Sequence, residues 1–168
     1  MRPITRHALF NSTGSIMIPD GRSPSALVLG NLNNDEFVDL VVAHERSATV
    51  QPLLGDGAGG FTPAEAVPVG DSPSALVMRD LNNDGFVDLM VANADSNDVS
   101  ILLGNGASGF TPLADVPVGN APHDLILNDL NGDNFVDLVV ANADSNDVSI
   151  LLGNGAGGFT PLADVPVG

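Results

Sequence analysis

Three stretches of nine residues gather oxygen-bearing side chains at a spacing that suits a hard cation. The second carries Asp80, Asn82, Asp84, Phe86 and Asp88, and the third Asp129, Asn131, Asp133, Phe135 and Asp137. The first carries Asn31, Asn33, Asp35, Phe37 and Asp39. In a tight turn, side chains at positions 1, 3 and 5 converge on one point. The backbone carbonyl at position 7, a phenylalanine in each stretch, joins them, and the carboxylate at position 9 closes the cage. Such an all-oxygen, flexible shell suits Ca²⁺, whereas Mg²⁺ wants a tighter octahedron. Without a cation, three carboxylates in nine residues repel one another. The plainer reading is an Asn/Asp-rich turn with no metal, because these residues favour turns. Recurrence in register three times favours calcium.

The pattern is not an EF-hand, whose twelfth position needs a Glu; Val42, Val91 and Val140 stand there. The first stretch is also the weakest. Asn31 removes the charge at position 1, and Glu36 holds position 6, where Gly85 and Asn134 stand in the other two. A left-handed backbone at position 6 suits Gly or Asn and disfavours Glu. Calcium affinity is therefore expected to be higher in the second and third stretches than in the first.

These loops must be held by a repeat. Phe61, Phe110 and Phe159 are 49 residues apart, as are Leu27, Leu76 and Leu125. Residues 80–119 match 129–168 at all but four of 40 positions: Asn83/Gly132, Gly85/Asn134, Met90/Val139 and Ser108/Gly157. Each unit reads as four strands, in the second copy Ser74–Arg79, Phe86–Ala92, Val99–Leu103 and Phe110–Val118. Turn formers such as LNNDG, NADSND and GNGASG separate them. No stretch shows helical periodicity. The expected fold is all-β: β-propeller blades, as three four-stranded antiparallel repeats of about 49 residues. Residues 21–70, 71–119 and 120–168 form the three blades. Residues 1–20 form an N-terminal segment in which Ser15–Ile18 resembles a fourth strand. The seven phenylalanines fall on two repeat positions and are expected to pack within or between blades.

The loop D-x-N-x-D-G-x-x-D, then D-L-x-V-A-N, then L-L-G-N-G-x-G-x-F, resembles the FG-GAP/VCBS repeat family over residues 10–168. That resemblance implies a β-propeller with calcium in its hairpin loops, as in the head of integrin alpha chains and many secreted bacterial proteins. It implies ligation by Asp80, Asn82, Asp84, the Phe86 carbonyl and Asp88, and by their third-copy counterparts. The family hosts adhesins, lectins and domains attached to enzymes, so it fixes no partner.

Composition narrows the classes. The chain has 168 residues, no Cys, Trp, Tyr or Lys, five Arg and 21 acids, for a net charge of −16. Phosphate binding needs cations, so nucleic acid is excluded as a partner. No apolar run is long enough to span a membrane, and residues 1–10 lack the apolar stretch of an export signal. With no Cys, thiolate metal sites and disulfides are excluded. His7, His44 and His123 do not recur in register, and residues 80–168 hold neither Lys nor Arg to clamp a phosphate. The chain is therefore expected not to be an enzyme. A calcium-stabilised structural or adhesion module outside the cell is the leading expectation, because sites of modest charge fill at millimolar calcium. A carbohydrate-binding lectin of the same fold is the alternative, against which the missing Trp and Tyr weigh.

In an antiparallel meander the cation loops and the GNGAGG loops share one face. The NADSND turns and the VGxxP links share the other, with Asp95, Asn97, Asp98, Asn120, His123, Asp144, Asn146 and Asp147 as candidate contacts beside the simpler reading of solvated turns. Three blades do not close a ring, which typically needs about four to eight. Homo-oligomerisation is the expected remedy, a dimer with six blades before a trimer with nine, with a protein or glycan as the candidate ligand. An excerpt from a longer propeller is the counter-reading.

Overall fold

The computed structural model describes residues 23–168. The features read at His7, Phe10 and Ser15–Ile18 lie outside the described residues. Three antiparallel sheets follow one another along the chain. The first holds β1 (Pro24–Gly30), β2 (Asp39–His44), β3 (Thr49–Gly55), β4 (Phe61–Pro63) and β5 (Val67–Pro68). The second holds β6 (Pro73–Arg79), β7 (Asp88–Asn93), β8 (Asp98–Gly104), β9 (Phe110–Pro112) and β10 (Val116–Pro117). The third holds β11 (Pro122–Asn128), β12 (Asp137–Asn142), β13 (Asp147–Gly153), β14 (Phe159–Pro161) and β15 (Val165–Pro166). A 3₁₀ turn at Glu45–Ser47 is the one helical element among the described residues. The all-β, blade-like architecture expected from the repeat is what the chain adopts.

Two strand readings are corrected. The expected fourth strand, Phe110–Val118, is two short pieces, β9 and β10, which pair with different ends of β8. Pro112 and Pro117 lack the N–H a continuous ladder needs. Between them the chain makes one further bond, from Leu113 N to the Ile101 carbonyl at 2.8 Å. The second strand begins at Asp88 rather than at Phe86. The Val87 carbonyl lies against Gly104, so tightly that a Cβ there would overlap it.

Each sheet is ordered as a meander from β1, β6 or β11 outward, and these three first strands pack on one another between sheets. Each also bulges one residue after its opening proline, where its register with the next strand shifts. A bulge re-aims the extra residue. Here Ser25 donates to the Pro73 carbonyl at 2.5 Å, and Ser74 to the Pro122 carbonyl at 2.7 Å, so each sheet is stitched to the next.

The core lies between sheets. The whole of β7 is buried, yet its alternating side chains go to different places. Leu89 and Val91 join Val41, Ala43 and Val50 of the first sheet. Met90 and Ala92 join Leu125, Leu138 and Val140 of the third. The period of two therefore sorts residues between two cores instead of between core and water. Each fully buried Leu or Val contributes about 1.5–3 kcal/mol relative to exposure.

Candidate cation loops

The cation loops join the first two strands of each sheet, and the structure builds each around its last residue. Asp88 is fully buried. Its Oδ2 accepts from Leu81 N at 2.8 Å and its Oδ1 from Gly104 N at 2.8 Å. Asp39 does the same with Leu32 N and Gly55 N, and Asp137 with Leu130 N and Gly153 N. One carboxylate thus ties the cation loop to the glycine-rich loop after the third strand. Burial pushes the Asp88 carboxyl above its ordinary value. The Leu81 and Gly104 N–H groups pull it back, and the nearby charges of Asp84 and Asp80 push it further up.

The rest of the loop is a set of side-chain-capped turns. Asp80 accepts from Gly85 N at 2.9 Å and Asp84 N at 3.3 Å. Asn82 Oδ1 accepts from Asp84 N at 3.1 Å, while its Nδ2 donates to Asp84 Oδ2 at 2.9 Å. Asp84 Oδ1 accepts from Phe86 N at 2.8 Å. The third loop repeats this with Asn131 and Asp133, while Asp129 accepts from Gly132 N at 2.7 Å and Asn134 N at 3.0 Å. The Gly132 N–H, chief among several backbone donors, holds the exposed Asp129 carboxyl below its ordinary value.

The first loop departs from this plan. Gly85 and Asn134 have φ of 85° and 69°, whereas Glu36 is not among the left-handed residues. Asn31 Nδ2 donates to the Asp35 carbonyl, and Asn31 Oδ1 is a buried acceptor with no partner. Position 4 is left-handed in all three loops, at Asn34, Asn83 and Gly132. That requirement went unread in the sequence, although the Asn/Gly alternation at positions 83 and 132 carries its signal.

The donors fit a hard divalent cation in chemistry. Each oxygen of Asp88 accepts one N–H and keeps a second lone pair, and the buried Asn31 oxygen, like those of Asn93 and Asn142, has no hydrogen-bond partner. Among the described residues, no three acidic or imidazole side chains converge as a metal-ligating group. Asp80 and Asp84 are instead turned onto backbone N–H groups of their own turns.

Phe37, Phe86 and Phe135 lie against Gly57, Gly106 and Gly155, so the cation loops and the glycine-rich loops share a face. The links between sheets and the NADSND turns share the other: Asp71 N donates to Ser96 Oγ at 3.1 Å and Asn120 N to Ser145 Oγ at 2.9 Å. Of the candidate contacts read on this face, Asp95, His123, Asn146 and Asp147 line two hollows, and Asn97, Asp98, Asn120 and Asp144 line neither. One hollow of about 340 Å³ brings His123 near Glu45 and Asp95; another of about 400 Å³ brings it near Asn146 and Asp147.

The same face carries a buried network. Asn93 Nδ2 donates to Asp98 Oδ1 at 2.7 Å and to Ser100 Oγ at 2.9 Å, and Ser100 Oγ accepts from Gly70 N at 3.2 Å. Asn142, Asp147 and Ser149 repeat it. In the first sheet His44, Thr49 and Gln51 occupy these positions. His44 is buried with both ring nitrogens unpartnered, and burial lowers its pKa.

The profile of the FG-GAP-like repeat matches residues 31–91, from the first cation loop into β7. No curated protein sequence matches the chain. Among solved structures, it is similar to a candidate 6-phosphogluconolactonase from Bacteroides fragilis, at 19% identity and a TM-score of 0.70, over 94% of this chain and 43% of that one. It is similar to the periplasmic gluconolactonase PpgL of Pseudomonas aeruginosa, at 19% identity and a TM-score of 0.66, over 89% and 41%. It is also similar to BBS1N, solved in complex with ARL6DN, at 18% identity and a TM-score of 0.59, over 88% and 45%. The chain spans less than half the length of each, and at these identities the likeness is one of fold. The chain carries FG-GAP-like repeat sequence, laid out as blades of a β-propeller-like fold.

Proposed function

We propose that the chain is a calcium-stabilised, non-catalytic propeller segment, a structural or adhesion module acting outside the cell, which completes its ring by association. The observation that carries this reading is the buried carboxylate at position 9 of each loop. It is tied to backbone on two sides, and in the second loop the charges of Asp84 and Asp80 bear on it. A divalent cation among these oxygens would offset that repulsion and fasten the outer hairpin turns. The ligands would be Asp80, Asn82, Asp84, the Phe86 carbonyl and Asp88, their counterparts from Asp129 to Asp137, and more weakly those from Asn31 to Asp39.

Two solved structures of similar fold are named for lactone chemistry, but fold alone does not carry an activity. The non-catalytic reading rests on this chain's own groups. His44 is buried with both ring nitrogens unpartnered, and among the described residues no hydrogen bond joins His123 to the Glu45 and Asp95 that share its hollow. No helix among the described residues is long and apolar enough to cross a membrane. Isothermal titration with calcium, beside melting curves in calcium and in excess chelator, tests the proposal. Binding heat with a calcium-raised melting temperature is expected; superimposed curves and no heat would refute it.

A further inference from the structure

Resting on the reading that the ring is completed by association, we propose that the third sheet's open flank docks the first sheet's open flank on a second copy of this chain, head to tail. The argument begins with residues in the same register but different surroundings. Leu32 and Leu81 are 4% and 3% exposed, each covered by the following sheet, whereas Leu130 is 48% exposed. Val28 and Val77 pack into the inter-sheet cores, whereas Ile126 is 61% exposed. The opposite flank tells the same story in reverse. Leu76 and Leu125 are 9% and 3% exposed, but Leu27 is 67% exposed and Leu29 and Val38 are open beside it. Val42 and Leu53, farther out on that flank, are buried, so the open strip on the first sheet is its inner part.

Both contacts inside the chain join one kind of strip to the other: Ala26, Val28 and Leu32 against the second sheet, and Ala75, Val77 and Leu81 against the third. The described chain leaves one uncovered strip of each kind. A second copy presents the inner part of the kind of surface that covers Leu32 and Leu81 within the chain, with Leu27 standing where Leu76 and Leu125 stand. The contact continues an interface already present twice. It is heterologous, and it closes when two copies supply six blades.

One residue breaks the match. Asp124 stands in register with Ala26 and Ala75, both of which pack against a core. An inward charge on an open flank opposes association, because docking must desolvate it. Asp124 therefore weakens the contact without abolishing it. The net charge of −16 on each copy acts in the same sense and is screened by salt.

Sedimentation velocity over a concentration series tests this. The wild-type chain is expected to shift from 17.1 kDa to twice that mass, and Asp124→Ala to lower the dissociation constant at least about tenfold. Ile126→Asp and Leu27→Asp each spoil one strip and should be monomers. Mixed in equal amounts they should pair, since each keeps the strip the other has lost. A wild-type monomer up to about 1 mM, or variants that stay apart when mixed, overturns the proposal. Calcium titration of the monomeric Ile126→Asp variant reads the other proposal separately. Binding without association sinks the docking alone, and association without binding heat sinks the calcium reading alone.

Discussion

The ring of Phe86 lies against Gly106, filling the space a side chain at position 106 would need. Gly106 has φ of 67°, so its missing Cβ serves both the backbone and the ring. The same pairing joins Phe37 to Gly57 and Phe135 to Gly155. With the bonds from Asp88 to Leu81 and Gly104, it fixes two hairpin loops as one body.

Gly106→Ala should therefore cost about 1–3 kcal/mol, from a strained left-handed alanine and a displaced ring. Gly85→Asn is the control. Gly85 is also left-handed but faces open space, and Asn134 already occupies its place in the third loop. Chemical denaturation should show a change within about 0.5 kcal/mol for that variant. Equal losses for the two would dissolve the distinction between strain and clash.

Asp88→Asn should destabilise the chain even in excess chelator. One of the two buried N–H groups loses its acceptor, at about 1–3 kcal/mol. Asp84→Ala under the same conditions should cost less, since it loses contacts only at the exposed turn. Urea midpoints of both variants, measured without calcium, make the comparison. Their coincidence would deny Asp88 a role independent of metal.

With calcium present, the order should change. Asp84→Ala and Asp133→Ala should each remove most of one site's binding heat, and Asp35→Ala should remove less, because the first loop lacks the position-1 carboxylate and the left-handed position 6. Titration calorimetry showing three equivalent sites would contradict this order.

The acid side of the stability curve offers a fourth test. Asp56 accepts from Ala58 N and Gly60 N, both at 2.8 Å, and chiefly the Ala58 N–H holds its carboxyl below the ordinary 3.8. A carboxyl lowered on folding stabilises the fold above its unfolded value and loses that contribution as pH falls through the folded one. Asp56→Asn should leave stability at pH 7 nearly unchanged and flatten its decline below about pH 4. Asn105 and Asn154 already cap the same turn with a neutral oxygen. Melting temperatures from pH 2 to 7 that keep the wild-type slope would remove Asp56 from the account.

Much of this architecture was legible because the repeat announced it. The alternation in FVDLMVA was visible, but not that both sides of it face cores, since one sequence does not say what lies across each flank. The outer strand reads as continuous in the sequence because prolines suit an edge position. Their missing N–H groups split it instead. The loop acids were legible as a group; the division of labour among them was not. Nothing in the letters marks Asp88 as the buried member that holds two backbone N–H groups. Three of the four differences between the second and third copies, Asn83/Gly132, Gly85/Asn134 and Ser108/Gly157, fall on left-handed residues. They mark where the backbone, not packing, limits the choice.

Because β7 sends alternate side chains into two cores, no sheet owns the interior that stabilises it. Cutting away either neighbour would strip one side of the middle sheet bare, so separate forty-nine-residue units should not fold alone. Unravelling should begin at the two ends and reach the centre last, with amide exchange slowest along Leu89–Ala92 and quickening toward the third sheet's uncovered side.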